Sequence, residues 1–227
     1  MNIVHLKKMV YIVALASISI VLALFEIPWF IPSGPFSSFL RLDFSDVAIL
    51  VAIVTLGNKE TSIVILLRSL TRVIFKGLTP ENLIGELIAM TAAFAILIGF
   101  QLAARVTKRQ AKPLFEEVPS DTKPMSWMEY GMFLVFISGT LSVVMVLLNF
   151  FITTPFLLSI YGFTNTLQFE VFGFINDLTA SMDVPYNTVT TFLWAVVASY
   201  TPFNLIKGLS VGFIFIIIWP RLKYIEY

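Results

Sequence analysis

The chain has 227 residues, 58% of them hydrophobic and 13% charged, with 15 Lys and Arg against 14 Asp and Glu. Soluble domains run nearer 45–50% apolar with about 25% charged, so the composition reads as an integral membrane protein, one transmembrane domain over 1–227, with no sign of a nucleic-acid partner. The absence of cysteine removes disulfides, thiolate metal ligands and cysteine nucleophiles, and the single histidine, His5, stands beside Lys7 and Lys8 as a solvated residue.

Residues 9–27 form an apolar run behind two lysines. Pro28-Trp29-Phe30-Ile31-Pro32 follows it where a signal peptide would carry a small-x-small cleavage site, so the run reads as a retained first span. Within it Ala16, Ser19 and Ala23 recur at three and four, a flat stripe suited to close helix contact, inside the bundle or with a partner. Residues 28–43 are a loop, because its prolines and Gly34 forbid a regular helix. Its aromatic side chains suit either a lid folded back over the bundle or a belt in the membrane interface.

Residues 44–57 are short for a span, and Asp43 and Asp46 read as acidic residues of its first turn rather than metal ligands. After a turn at Gly57-Asn58-Lys59, residues 60–76 return with Arg68, Arg72 and Lys76 at i, i+4 and i+8. Such a stripe faces the bundle interior, a partner or water, not lipid, with Lys76 snorkelling outward and Arg68 satisfying carbonyls or a carboxylate. Thr79 and Pro80 form an N-cap followed by proline, opening a span over 80–104. Glu86, in its second turn, is a counter-ion for Lys207 or an arginine, Arg68 being the candidate pocket partner, or else touches substrate.

Residues 105–125 are a polar linker. Residues 126–152 make a fifth span with Asn149 near its far end, and Thr153–Pro185 is a long connection with a short amphipathic helix expected over Phe169–Met182. Residues Thr188–Tyr200 are too short to span and are expected to pack on the surface before a kink at Pro202. Thr201 then caps, and Pro202 begins, a sixth span over 202–219, about 26 Å long at about 1.5 Å per residue. Asn204 and Lys207 share one face of its first turns. A lysine at membrane depth, at the positive end of a helix dipole, is costly; it either belongs to a ligand-binding pair or snorkels to the interface, with Asn204 as packing glue.

With both termini cytoplasmic, ten of the fifteen basic residues fall inside: Lys7, Lys8, Lys59, Arg105, Lys108, Arg109, Lys112, Lys123, Arg221 and Lys223. That bias fits an all-α bundle of six transmembrane helices, multi-pass in a bacterial-type cell membrane, with 28–43 outside and 105–125 in the cytoplasm. The sequence carries no phosphate-binding G-x-x-x-x-G-K-[ST] loop, no H-E-x-x-H and no G-x-S-x-G, so neither ATP hydrolysis nor hydrolytic catalysis is expected of it. What remains is a polar set at one depth, Asp43, Glu86, Asn149, Asn204 and Lys207, beneath aromatic loops. Neutral amides with one lysine suit a flat, hydrogen-bonding, largely uncharged molecule.

Four segments then carry a resemblance: Phe39-Leu40-Arg41-Leu42-Asp43-Phe44-Ser45-Asp46; Arg68-Ser69-Leu70; Asn149-Phe150-Phe151-Ile152 with Pro155 and Tyr161; and Pro202-Phe203-Asn204-Leu205-Ile206-Lys207-Gly208. In these the chain resembles the riboflavin-binding S components of the energy-coupling factor (ECF) vitamin transporters. The resemblance implies a subunit that captures riboflavin from outside, with the first loop as gate and no other cofactor or metal. Asn149, Asn204 and Lys207 would hydrogen-bond the isoalloxazine edge, while Leu40, Leu42, Asp43, Phe44, Phe156 and Tyr161 would pack the rings and meet the ribityl chain. It also implies docking on a transmembrane coupling protein driven by two ATPases, with Ala16, Ser19 and Ala23 as the contact. Against it stand an S component for another vitamin and a self-sufficient transporter using Glu86 and Lys207 as a proton-coupled pair.

Overall fold

The computed structural model describes residues 3–109, 126–178 and 185–222. Most of the linker expected over 105–125 thus lies outside the described residues, as do Met182 of the expected amphipathic helix and Lys223. Helices α1 (Ile3–Leu22), α2 (Ser45–Leu56), α3 (Asn58–Lys76), α4 (Pro80–Val106) and α5 (Trp127–Leu148) follow in order. A wide π turn at Asn149–Thr153 leads into α6 (Thr154–Ile160); α7 (Val171–Asp177) and α8 (Val189–Leu222) complete the bundle. Among the described residues, four stretches are long and apolar enough to cross a membrane: Ile3–Leu22, Pro80–Val106, Trp127–Ile160 and Val189–Trp219. In place of two further full-length spans stands the shorter α2–α3 pair, α2 having 12 residues and α3 carrying buried arginines.

Local chemistry sets several boundaries. Thr79 Oγ1 accepts the Asn82 N–H at 3.3 Å and Pro80 follows as the first helical residue, as the sequence implies. At Ser126 a capping box opens α5, with Glu129 taking back the Ser126 N–H at 2.7 Å. Gly57, at φ 90°, makes the reversal between α2 and α3 that a side chain would resist.

Three expected boundaries are wrong. The first helix ends at Leu22 rather than at residue 27, where β1 begins instead. Thr201-Pro202 does not start a helix, since α8 runs unbroken for 34 residues and Pro202 lies inside it. Phe192, Val196, Tyr200 and Phe203 lie on both sides of the proline and are buried in one aromatic cluster, so packing holds the helix continuous where local chemistry would end it. The fifth span likewise runs on past residue 152. The π turn loosens the backbone ladder just before Pro155, whose missing N–H is then tolerated in the first turn of α6.

The main apolar core lies where α2, α4, α5 and α8 meet, with Ile49, Leu50, Ile53, Ile96 and Leu141 almost fully enclosed. Lys8 pairs with Glu60 at 3.1 Å and Arg109 with Glu129 at 2.9 Å, which gathers the start of α1, α3 and α5 with the end of α4. Glu26, Lys76 and Glu86 mark the opposite end, where the first loop lies. That loop pairs two short strands, β1 (Ile27–Pro28) and β2 (Arg41–Leu42), in antiparallel register. It folds back over the bundle. Trp29, Phe36 and Leu40 bury themselves against Tyr186, Phe192, Tyr200 and Phe203, so the lid arrangement holds for these side chains, while Phe30 stays 82% exposed.

Candidate functional site

One face of α8 organises the site. Ser199, Phe203 and Lys207, at i, i+4 and i+8, all meet the loop or its end. Phe36 N–H donates to Ser199 Oγ at 3.1 Å, and Ser33 Oγ donates to the Ser199 carbonyl at 3.3 Å. Gly34 lies so close that a Cβ there would come within 2.8 Å of the Ser199 backbone nitrogen. Trp29 meets Phe203 edge-on at 5.3 Å. Last, Lys207 Nζ donates to Asp43 Oδ2 at 3.2 Å, just where the loop enters α2.

Lys207 does not stand alone. Its ammonium also lies 3.0 Å from Asp46 Oδ2, and Asp46 Oδ1 accepts from Arg68 Nη1 at 3.1 Å. Arg68 is fully buried and donates through Nη2 to the Ala89 carbonyl of α4 at 2.9 Å. Two carboxylates thus balance two cations in a closed cluster, which is how charge is tolerated away from water. Asp43 and Asp46, read from sequence as helix-start residues, are counter-ions for Lys207. Asp43 also accepts the Ser45 N–H at 3.0 Å and the Ser45 hydroxyl.

Asn149 and Asn204 are both buried. Each turns its amide back on its own helix, Asn149 Nδ2 to the Met145 carbonyl at 2.7 Å and Asn204 Nδ2 to the Tyr200 carbonyl at 2.8 Å. Asn149 Oδ1 accepts from Thr153 Oγ1 at 2.7 Å inside the π turn. Thr154 Oγ1 and Tyr200 Oη, 2.9 Å apart, join the start of α6 to α8. Amides satisfied by an i−4 carbonyl can exchange that bond for a ligand at little cost, since one hydrogen bond replaces another. Two amides and an ammonium can bind a polar, flat molecule.

The other expected residues are more scattered. Leu40 is buried in the aromatic cluster, while Leu42 and Phe44 are partly buried at the loop's end. Phe156 is buried and stacks on Phe169 at 5.0 Å; Tyr161, closing α6, is 54% exposed. Glu86 and Arg68 are not a pair. Glu86 takes Arg72 at 2.9 Å and Lys76 at 3.4 Å, in a second set that reaches Glu26. Arg68 has Asp46 instead, one helical turn away along α3.

Nor does the Ala16, Ser19, Ala23 stripe face outward. These residues are 2%, 0% and 4% exposed, and Ser19 Oγ donates to the Ser45 carbonyl at 2.9 Å. Small side chains let α1 approach α2 closely, which consumes the stripe internally.

Residues that sequence reasoning passed over are Ser199, Tyr200, Thr153 and Thr154, together with the pairing role of Asp46. One signal was present: Asp46 is an acid that immediately precedes the uninterrupted apolar run Val47–Val54. The π turn had none beyond Pro155.

The model of the family described as "ECF transporter, substrate-specific component" matches residues 7–219. The riboflavin transporter RibU of Streptococcus thermophilus (strain ATCC BAA-250 / LMG 18311) is 26% identical over 219 residues, covering 96% of this chain and 84% of that protein. A solved S component of a bacterial ECF transporter shares the fold, with a TM-score of 0.60 at 23% identity over 97% of each chain. These are transport components and not enzymes. With the family model matched along nearly its whole length, the chain belongs to the substrate-specific components of ECF transporters.

Proposed function

We propose that this component captures riboflavin. The observation that carries the substrate is the near full-length similarity to a riboflavin transporter, and the two buried amides and one lysine supply the hydrogen-bonding groups that a flavin edge needs. In this reading Asn149, Asn204 and Lys207 exchange their internal partners for the ring system. Leu40, Leu42, Phe44 and Phe156 pack it, and Tyr161 meets the polar chain. The loop over 28–43, held to α8 by few hydrogen bonds, is the gate. The α2–α3 pair completes six spans in a cell membrane, with both termini on the cytoplasmic side, as the distribution of basic residues supports.

The family implies a coupling protein and two ATPases as partners. The face of α1 available to such a partner is the exposed strip Val10, Val13, Ser17, Ile18 and Val21. The test is purification in detergent from a flavin-containing cell. A yellow, riboflavin-like absorbance that survives washing is expected, together with quenching of added riboflavin fluorescence. Lys207→Ala should weaken binding by about 1.5–3 kcal/mol, the worth of a charged hydrogen bond. A colourless protein that leaves riboflavin fluorescence untouched ends the riboflavin reading.

A further inference from the structure

We propose that Asp46 is a positioning residue, the permanent counter-ion that holds and aims Lys207, whereas Asp43 is an exchangeable one that an acceptor oxygen of the ligand displaces. The proposal deepens the riboflavin reading and rests on it. Two carboxylates touch the same ammonium at nearly equal distances, 3.0 Å for Asp46 and 3.2 Å for Asp43. Their surroundings are unequal. Asp46 sits in the first turn of α2 with its side chain 2% exposed, and its other oxygen is held by Arg68, itself fully buried and anchored on α4 through the Ala89 carbonyl. Arg68 also reaches the hydroxyl of Ser45 at 3.3 Å. Moving Asp46 would strand a buried guanidinium.

Asp43 has no such anchor. It lies in the stretch between β2 and α2, its side chain is 17% exposed, and Ser45 donates to it through both its N–H and its hydroxyl. Released from Lys207, Asp43 keeps those two bonds and gains access to water. The two contacts of Lys207 also differ in kind. Its ammonium donates a hydrogen bond to Asp43 Oδ2, while Asp46 Oδ2, 3.0 Å away, neutralises it as an ion pair without taking a hydrogen bond. The ammonium has three N–H groups. It can therefore rotate off Asp43, give that donor to a carbonyl oxygen, and stay neutralised by Asp46 throughout. A lysine with one counter-ion would have to choose between its partner and the ligand.

The experiment is a set of riboflavin titrations by fluorescence quenching on the purified full chain, comparing wild type with Asp46→Asn and Asp43→Asn, each also in a Lys207→Met background. Expected is a tenfold or greater loss of affinity for Asp46→Asn and a gain of about threefold for Asp43→Asn, because the ligand no longer competes with that carboxylate. Neither change should matter further once Lys207 is gone, a pattern that a purely structural role would not produce. Equal losses from both variants, or an Asp46→Asn effect that persists in the Lys207→Met background, overturn the proposal. If Asp46→Asn does not fold, the sign of the Asp43→Asn effect decides. Wild type that fails to bind riboflavin overturns the reading beneath, which these outcomes keep distinct.

Discussion

The continuous span of α5 and α6 meets α8 twice, and the two meetings differ in kind. Near Gly208 they touch without intervening side chains: a Cβ on Gly208 would lie 2.6 Å from the Ser138 Cα, and on the other flank of α5 a Cβ on Gly99 would lie 2.8 Å from the Phe136 carbonyl. Below this the rings of Phe100, Phe133, Phe215 and Trp219 interlock at 4.9–6.3 Å. Towards the loop α6 and α8 are joined by Thr154 and Tyr200, and α8 presents Ser199, Asn204 and Lys207 beneath a cover held by a few hydrogen bonds. Close packing resists any change of one methylene, whereas hydrogen bonds and ion pairs can be exchanged for equivalents. A protein that must release what it binds has reason to keep the second kind at the site and the first kind away from it.

The charged layer should fail first if that contrast is real. Arg68→Leu leaves two carboxylates facing one ammonium in a buried setting. It should cost about 3–5 kcal/mol, the usual penalty for breaking a buried pair by removing one partner, seen as lost monodisperse protein or a large drop in thermal stability in detergent. At the close-packed layer Gly208→Val should cost about 1–3 kcal/mol through overpacking, while Gly139→Ala, with nothing near its Cβ position, should be near neutral in the same melt. Similar results for the two glycines would show that the layer has slack.

Ser199→Ala sharpens the comparison from the other side. It removes the acceptor of the Phe36 N–H, worth about 1 kcal/mol, so amide exchange at Phe36 should rise about fivefold with the global melt little changed. Smallest of all, Lys8→Ala should shift stability by at most about 1 kcal/mol, because the Lys8–Glu60 pair is partly exposed, at 21% and 23%. A large effect there would mean that the end carrying the chain start is as dependent on charge as the site.

Much of this contrast was legible beforehand. The basic stripe on α3 had to face the interior, a partner or water rather than lipid, and Arg68 and Arg72 turn inward. Thr79-Pro80 announced a helix start in residues whose chemistry is purely local. The pairing of Asn204 with Lys207 on one face follows from spacing alone. By contrast, Thr201-Pro202 carries the same kind of local signal and is overridden, because the aromatic cluster around Phe192 and Tyr200 rewards a continuous α8 more than the proline penalises it. The Ala16, Ser19, Ala23 stripe was correctly read as a close-contact surface, but its partner proved to be α2 of the same chain.

By itself the sequence determined the membrane class, the positions of most helices, and several of the polar residues that prove to be buried, among them Arg68, Glu86, Asn149, Asn204 and Lys207. Those follow from composition, periodicity and capping, properties that act within a few residues. Only the tertiary structure decided who pairs with whom: Arg68 with Asp46 across 22 residues, Lys207 with Asp43 across 164, and Glu86 with Arg72 rather than Arg68. Hydrogen bonding acts only at contact distance, and Coulomb attraction depends on charge and distance alone, so neither distinguishes one carboxylate from another. The choice among them is made by the packing that brings the helices together.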